Sequence, residues 1–265
     1  MSTTLNREDV VRLCERVEGA QTRAYSIPKL TDEYPEMSIA DAYLVQNELR
    51  RRFLQQGHRL TGWKAGLTSK AKMEQMGVAV PTVGFLTDKM ARSENTVISV
   101  ADLVHPRVEC EVAFVTRYPL AGPNCTAEQV LEATDYVLPA IEVIDSRFHG
   151  FKFDLASVIA DNSSSARYVG GGRPRNVHDI ELRSIGVVLE KNGEIVQMGA
   201  AAEVLGDPAE AVALLVNILS EFNETLPAGS FVMSGGITAA VAVAPGDNII
   251  ARYQHLGSVS IRFGE

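Results

Sequence analysis

Val108-Glu109-Cys110-Glu111-Val112-Ala113-Phe114-Val115 has the texture of a buried β-strand, yet it carries two acids. Residues i and i+2 of a strand share a face, so the Glu109 and Glu111 carboxylates converge while Val108, Cys110 and Val112 point the other way. Their repulsion and desolvation must be met by a shared proton, by cationic side chains that reach in, or by a metal between them. Glu142 lies in a second apolar run, Leu138-Pro139-Ala140-Ile141-Glu142-Val143-Ile144. Three acids so placed suggest a hard cation, Mg²⁺ or Mn²⁺, with open positions for a substrate. The plainer alternative is three ordinary acids on the wet face of an antiparallel sheet.

Outward from this strand, short β-like runs separated by glycine, proline and asparagine fill the chain from Leu60 onward. They cover Leu60–Gly66, Glu109–Thr116, Tyr136–Asp145, Ser184–Lys191, Gly229–Ser234, Ile249–Tyr253 and Ser258–Phe263. Asn192-Gly193 predicts a hairpin turn, and Pro245-Gly246-Asp247 a tight turn. Two helices interrupt the series, Ala127–Thr134 after Thr126 and one that opens at Asp207-Pro208 with Val212, Leu215, Val216, Leu219 and Phe222 on its apolar face. The opening quarter is helical. Asn6 with Asp9 caps a helix from about Arg7 to Gly19, and Ser38 with Asp41 caps another that ends before Gly57. The fold class is therefore α+β, with a helical section over 1–80 packed on a β-rich unit over 81–265.

The 265 residues suffice for a sizeable core, and 46% hydrophobic with 22% charged residues indicates an ordered globular protein. A net charge of -8, from 33 acids against 25 Lys plus Arg, argues against nucleic acid as a partner. Cys14, Cys110 and Cys125 show no CxxC spacing and read as reduced thiols. There is no apolar leader at the N-terminus and no stretch long enough to span a bilayer, so the expected location is the cytoplasm, with no membrane partner.

Lys64, between Trp63 and Ala65-Gly66-Leu67, is a partly desolvated ammonium available to an anionic substrate, or else a surface lysine that snorkels. Ser234-Gly235-Gly236-Ile237-Thr238 follows a β-run and lets backbone N–H groups approach an anionic oxygen or carboxylate; otherwise it is a plain Gly-Gly turn. Asp161-Asn162-Ser163-Ser164-Ser165 ends an apolar run and could supply hydrogen-bond donors to a ligand; alone it reads as a turn. The five histidines lack metal-ligand spacing, and P-loop, Rossmann and Gly-x-Ser-x-Gly signatures are absent.

Taken in order, six segments resemble the hydratase/decarboxylase branch of the fumarylacetoacetate hydrolase superfamily over nearly the whole chain. They are Gly62-Trp63-Lys64-Ala65-Gly66-Leu67-Thr68-Ser69, His105-Pro106-Arg107-Val108-Glu109-Cys110-Glu111, Ile141-Glu142-Val143-Ile144-Asp145-Ser146-Arg147, Ala160-Asp161-Asn162-Ser163-Ser164, Gly235-Gly236 and Pro245-Gly246-Asp247. The resemblance implies a fumarylacetoacetase-like mixed β-roll or barrel core, a divalent cation on Glu109, Glu111 and Glu142, and a catalytic Lys64. It implies substrate contacts from Leu67, Thr68, Asp161, Ser164, Gly236, Ile237 and Thr238. Hydratases of the branch carry an aspartate for proton transfer in a Pro-Asp-aromatic-Gly segment, where this chain reads Pro81-Thr82-Val83-Gly84. Thr82 is no acid or base near neutral pH, which favours decarboxylation of a small dicarboxylic 2-oxo acid, 2-oxo-3-hexenedioate, over hydration. A hydratase, a C–C hydrolase based on His105 or His149, and a non-catalytic partner that stabilises the pathway hydratase are the alternatives. The resemblance also implies a complex with that hydratase, and a homo-oligomer is possible.

Overall fold

In the computed structural model, which describes residues 3–69, 73 and 81–265, the helices begin where their capping residues predict. Helix α1 (Arg7–Thr22) starts at Asn6, whose side chain accepts from the Asp9 amide at 2.9 Å; it runs one turn beyond Gly19. Helix α2 (Ile39–Gln55) opens on a capping box, with Asp41 N–H donating to the Ser38 hydroxyl at 3.1 Å and Ser38 N–H donating to the Asp41 carboxylate at 2.9 Å. Gln46 of α2 donates to the carbonyls of Val83 at 2.8 Å and Ile159 at 2.9 Å, which ties this helix to the β-structure. Helices α3 (Ala127–Ala133) and α5 (Pro208–Ser220) lie where expected, and α5 buries Val212, Leu215, Val216 and Leu219. A further short helix, α4 (Leu155–Ala160), forms from the apolar run before Asp161; its only local signal is Asp154, which caps it. No helix among the described residues is long and apolar enough to cross a membrane.

The larger sheet has the order β2 (Thr82–Thr87), β1 (Leu60–Gly66), β10 (Phe231–Met233), β5 (Pro106–Thr116), β6 (Thr134–Asp145), β7 (Ser165–Gly170), β3 (Ala91–Arg92), with β11 (Val241–Ala242) also on β5. The smaller has the order β4 (Val97–Ser99), β13 (Gly257–Gly264), β12 (Asn248–Tyr253), β8 (Gly186–Lys191), β9 (Glu194–Ala200). Both are mixed: β1–β10, β13–β4 and β3–β7 are parallel, and the other pairs antiparallel. Asn192 and Gly193, at φ 56° and 89°, turn β8 into β9.

The larger sheet is strongly curled. β1 and β7 stand four ladder spacings apart, about 19 Å in a flat sheet, yet the Thr61 and Tyr168 hydroxyls meet at 2.9 Å. Asn162 closes the same gap, for Phe85 N–H on β2 donates to its side-chain oxygen at 2.8 Å and its amide donates back to Phe85 C=O at 3.0 Å, three residues before β7 begins. The convex face packs Val108, Cys110, Val112 and Phe114 into the main core with α1, α2 and α5. The concave face holds a small cluster of Leu86, Met90, Ala113, Ala140, Tyr168 and Met233, and beside it the acids of β5. This is the mixed, rolled core that the sequence led us to expect.

Candidate active site

Alternation along β5 places Glu109 and Glu111 on the concave face, and the β5–β6 register sets Glu142 directly opposite Glu109. All three are buried, which removes the wet-face alternative. One oxygen from each carboxylate lies within 4.8 Å of the others; oxygens on opposite sides of an octahedral Mg²⁺ are about 4 Å apart.

Lys64 stands on β1, three ladder spacings from β6, and only the curl of the sheet brings it to Glu142. It is 3% exposed, so the surface-lysine alternative is also removed. Its ammonium donates to the Ser163 carbonyl at 2.6 Å and lies 3.3 and 3.4 Å from the two Glu142 oxygens. Asn162, Ser163 and Ser164 have φ of 51°, 50° and 59°, three consecutive left-handed residues, a costly conformation away from glycine. The turn aims the Ser163 carbonyl at Lys64 and leaves the buried Ser164 hydroxyl without a hydrogen-bond partner among the described residues.

The Gly-Gly turn meets a carboxylate, and it belongs to the protein itself: Gly235 N–H donates to Glu111 Oε2 at 2.7 Å. Gly235 has φ 111°, and a Cβ there would lie 1.9 Å from the Thr68 hydroxyl; at Gly236 it would lie 2.5 Å from Glu109 Oε2. Behind Glu111, the Tyr253 hydroxyl accepts from the Glu111 amide at 3.0 Å and donates to Ala140 C=O at 2.6 Å.

Burial first, then the charges of Glu142 and Glu109, push the Glu111 carboxyl well above the usual carboxylate range. Among the described residues, Glu111 Oε1 is buried with no hydrogen-bond partner, and Glu142 Oε1 is met by the Lys64 ammonium at 3.3 Å. Unmet buried oxygens are costly. An all-oxygen set of three convergent carboxylates fits a hard divalent cation, which would replace the proton that Glu111 holds in its absence.

The site floors a cavity of about 470 Å³. Among the expected site residues, Lys64, Leu67, Glu109, Ser164 and Gly236 line it, and Glu111 and Glu142 lie beneath. Thr68 is buried against Gly235, Ile237 N–H donates to Cys110 C=O at 2.8 Å, and Cys110 N–H donates to the Thr238 hydroxyl at 3.3 Å. Asp161 is turned to Arg147, whose guanidinium Nε donates to it at 2.5 Å. Thr82 lines the cavity, with Ser163 Oγ donating to its hydroxyl at 3.1 Å. His105 donates to Ser146 C=O at 2.9 Å and the His149 ring pairs with the Ser26 hydroxyl at 2.7 Å; neither lines the cavity. Three residues gained no role from the sequence: Ser163, Tyr253, and Arg107, which shares the alternation of Glu109 and Glu111.

A curled mixed sheet with acids inside and a buried lysine at its seam defines a class. Residues 43–263 match the model of the fumarylacetoacetate (FAA) hydrolase C-terminal region, and the chain belongs to this family. It is 56% identical over 263 residues, covering 99% of this chain and 100% of the other, to 4-oxalocrotonate decarboxylase of Pseudomonas putida. The structure of 4-oxalocrotonate decarboxylase from Pseudomonas putida G7, complexed with magnesium and adipate, superposes with a TM-score of 0.97 at 53% identity, covering 99% of this chain and 100% of that one. A more distant relative, 2-oxo-hept-4-ene-1,7-dioate hydratase of Escherichia coli, is 38% identical over 257 residues, 95% of this chain and 96% of the other. The enzyme class expected from the sequence, a carboxy-lyase of this family, is that of the 56% identical relative.

Proposed function

We propose that this chain removes CO₂ from 2-oxo-3-hexenedioate to give 2-hydroxypenta-2,4-dienoate, in a cation-dependent step of the meta-cleavage catabolism of aromatic compounds in the cytoplasm. The observation that carries this reading is the convergence of three buried carboxylates, that of Glu111 with an oxygen unmet among the described residues, beside a buried ammonium on a cavity floor. Full-length likeness to a decarboxylase, and a threonine in the cavity at position 82, favour decarboxylation over hydration.

The substrate is a vinylogous β-keto acid, so electrons of the breaking C5–C6 bond can pass through C4 and C3 to the C2 oxygen. Mg²⁺ or Mn²⁺ held by Glu109, Glu111 and Glu142 would supply Lewis-acid charge to that oxygen and the C1 carboxylate. Lys64, fixed by the Ser163 carbonyl and Glu142, adds a second positive charge where negative charge grows. Leu67, Ser164 and Gly236 meet the substrate; Thr68, Asp161, Ile237 and Thr238 hold those contacts from behind. Ile144, Phe151, Phe153 and Val158 form an apolar wall that excludes water. The dienol product ketonises readily, which gives a physical reason for transfer to the pathway hydratase within a complex.

The test is CO₂ release and ultraviolet absorbance with chelator-stripped protein on 2-oxo-3-hexenedioate, with and without Mg²⁺ or Mn²⁺. Metal-dependent CO₂ with a transient dienol is expected, and Glu109→Gln should lower metal affinity and turnover together by at least tenfold. Consumption of 2-hydroxypenta-2,4-dienoate without CO₂ release would make the protein a hydratase, and full activity of the Gln variant would remove Glu109 from the metal.

A further inference from the structure

We propose that Arg107 is the specificity-determining residue for the distal carboxylate of the substrate, a role that rests on the dicarboxylate reading above. Arg107, Glu109 and Glu111 alternate along β5 and so share its concave face. Arg107 lies two residues from Glu109 towards the start of the strand, a translation of about 6.6 Å, close to the length of a six-carbon chain. Exposure grows in the same direction, since Glu111 is fully buried and Glu109 nearly so, while Arg107 is half-buried and the neighbouring Lys152 exposed.

The cavity is therefore polar along its length, with carboxylates at the floor and a guanidinium at the rim. A molecule with one end on a cation at the floor presents its other end to Arg107. Arg107 forms no ion pair among the described residues; its guanidinium lies over the Phe151 ring, 4.2 Å from the centroid. That stacking holds the planar fork in place without consuming its charge. Lys152, the other rim cation among the described residues, is exposed and has no such support. Ile144, paired with Arg107 across β5 and β6, and Val158 also line the cavity and suit a hydrocarbon chain with anions only at its ends.

This arrangement binds more than it catalyses. A cation paired with the departing carboxylate stabilises the ground state at least as well as the transition state, so its removal raises KM and spares kcat. The experiment compares wild type, Arg107→Met, Arg107→Lys and Lys152→Met, all loaded with Mg²⁺. The readouts are KM and kcat for 2-oxo-3-hexenedioate, and inhibition by adipate against hexanoate, which has the same chain length with one carboxylate. Arg107→Met is expected to raise KM and weaken adipate at least tenfold, with kcat within threefold and hexanoate unchanged; Arg107→Lys recovers part of the loss, and Lys152→Met changes little. Equal weakening of both inhibitors, no weakening of either, or a loss confined to kcat or to Lys152→Met would overturn the proposal. If wild type neither releases CO₂ nor binds adipate, the dicarboxylate reading itself fails, an outcome distinct from any of these.

Discussion

Asp161 and Arg147 show how burial and charge compete at a single residue. Both side chains are fully buried; Arg147 Nε donates to Asp161 Oδ1 at 2.5 Å and Arg147 N–H to Oδ2 at 3.1 Å. Desolvation nevertheless outweighs the guanidinium and raises the Asp161 carboxyl to about 6. A raised folded value means that the native state holds the proton more tightly than the unfolded chain. The stabilisation is thus fully present below the ordinary carboxylate range and lost as pH rises through about 6. Two units correspond to about 3 kcal/mol. Asp161→Asn imitates the protonated form at every pH. Denaturant melts should show it gaining about 1 kcal/mol on wild type at pH 4.5 and up to about 3 kcal/mol at pH 7.5. A gap that widens in favour of wild type would mean that Arg147, not desolvation, governs the group.

At the scale of elements, the decisive piece is the turn Asn162–Ser164 between α4 and β7. It takes the place of a strand beside β2, since the Asn162 amide satisfies both the N–H and the C=O of Phe85. Asparagine is the non-glycine residue best suited to its φ of 51°, and its side chain offers both an N–H donor and a carbonyl acceptor. Asn162→Ala leaves two buried backbone groups unpaired, at about 1–3 kcal/mol each, and frees the Ser163 carbonyl from Lys64. Urea denaturation should register a loss of about 2–6 kcal/mol, with kcat reduced at least tenfold. Asn162→Gly also loses the bonds but relaxes the backbone, so it should be the milder variant; an Ala variant with native stability and turnover would show that the turn holds without its amide.

The whole molecule explains which parts of the site could be read from sequence. Caps at Asn6, Ser38 and Asp207 and the Asn192-Gly193 turn depend on neighbours a few residues away, so they were legible. So was the shared face of Glu109 and Glu111, which needs only a strand's alternation. The pairing of Glu109 with Glu142 depends on register, and the reach of Lys64 to β6 on the curl, which Thr61–Tyr168 and Asn162–Phe85 close over long stretches of chain; local pattern carries neither. Arg107 was visible in the same alternation, but its place at a rim appears only once the sheet has rolled. The second sheet completes the arrangement through Tyr253, whose buried hydroxyl burial keeps protonated well beyond the usual tyrosine range. It leaves β12 to accept from Glu111 N–H and donate to Ala140 C=O, the residue opposite Glu111 on β6. Tyr253→Phe preserves the ring and removes only this link, so chemical denaturation should record a loss of about 1–3 kcal/mol. Calorimetric Mg²⁺ affinity should fall several-fold in the same variant, because the backbone that carries Glu111 loses its tether. If stability and affinity both stay at wild-type values, β5 and β6 hold Glu111 in place by themselves, and the second sheet contributes packing alone.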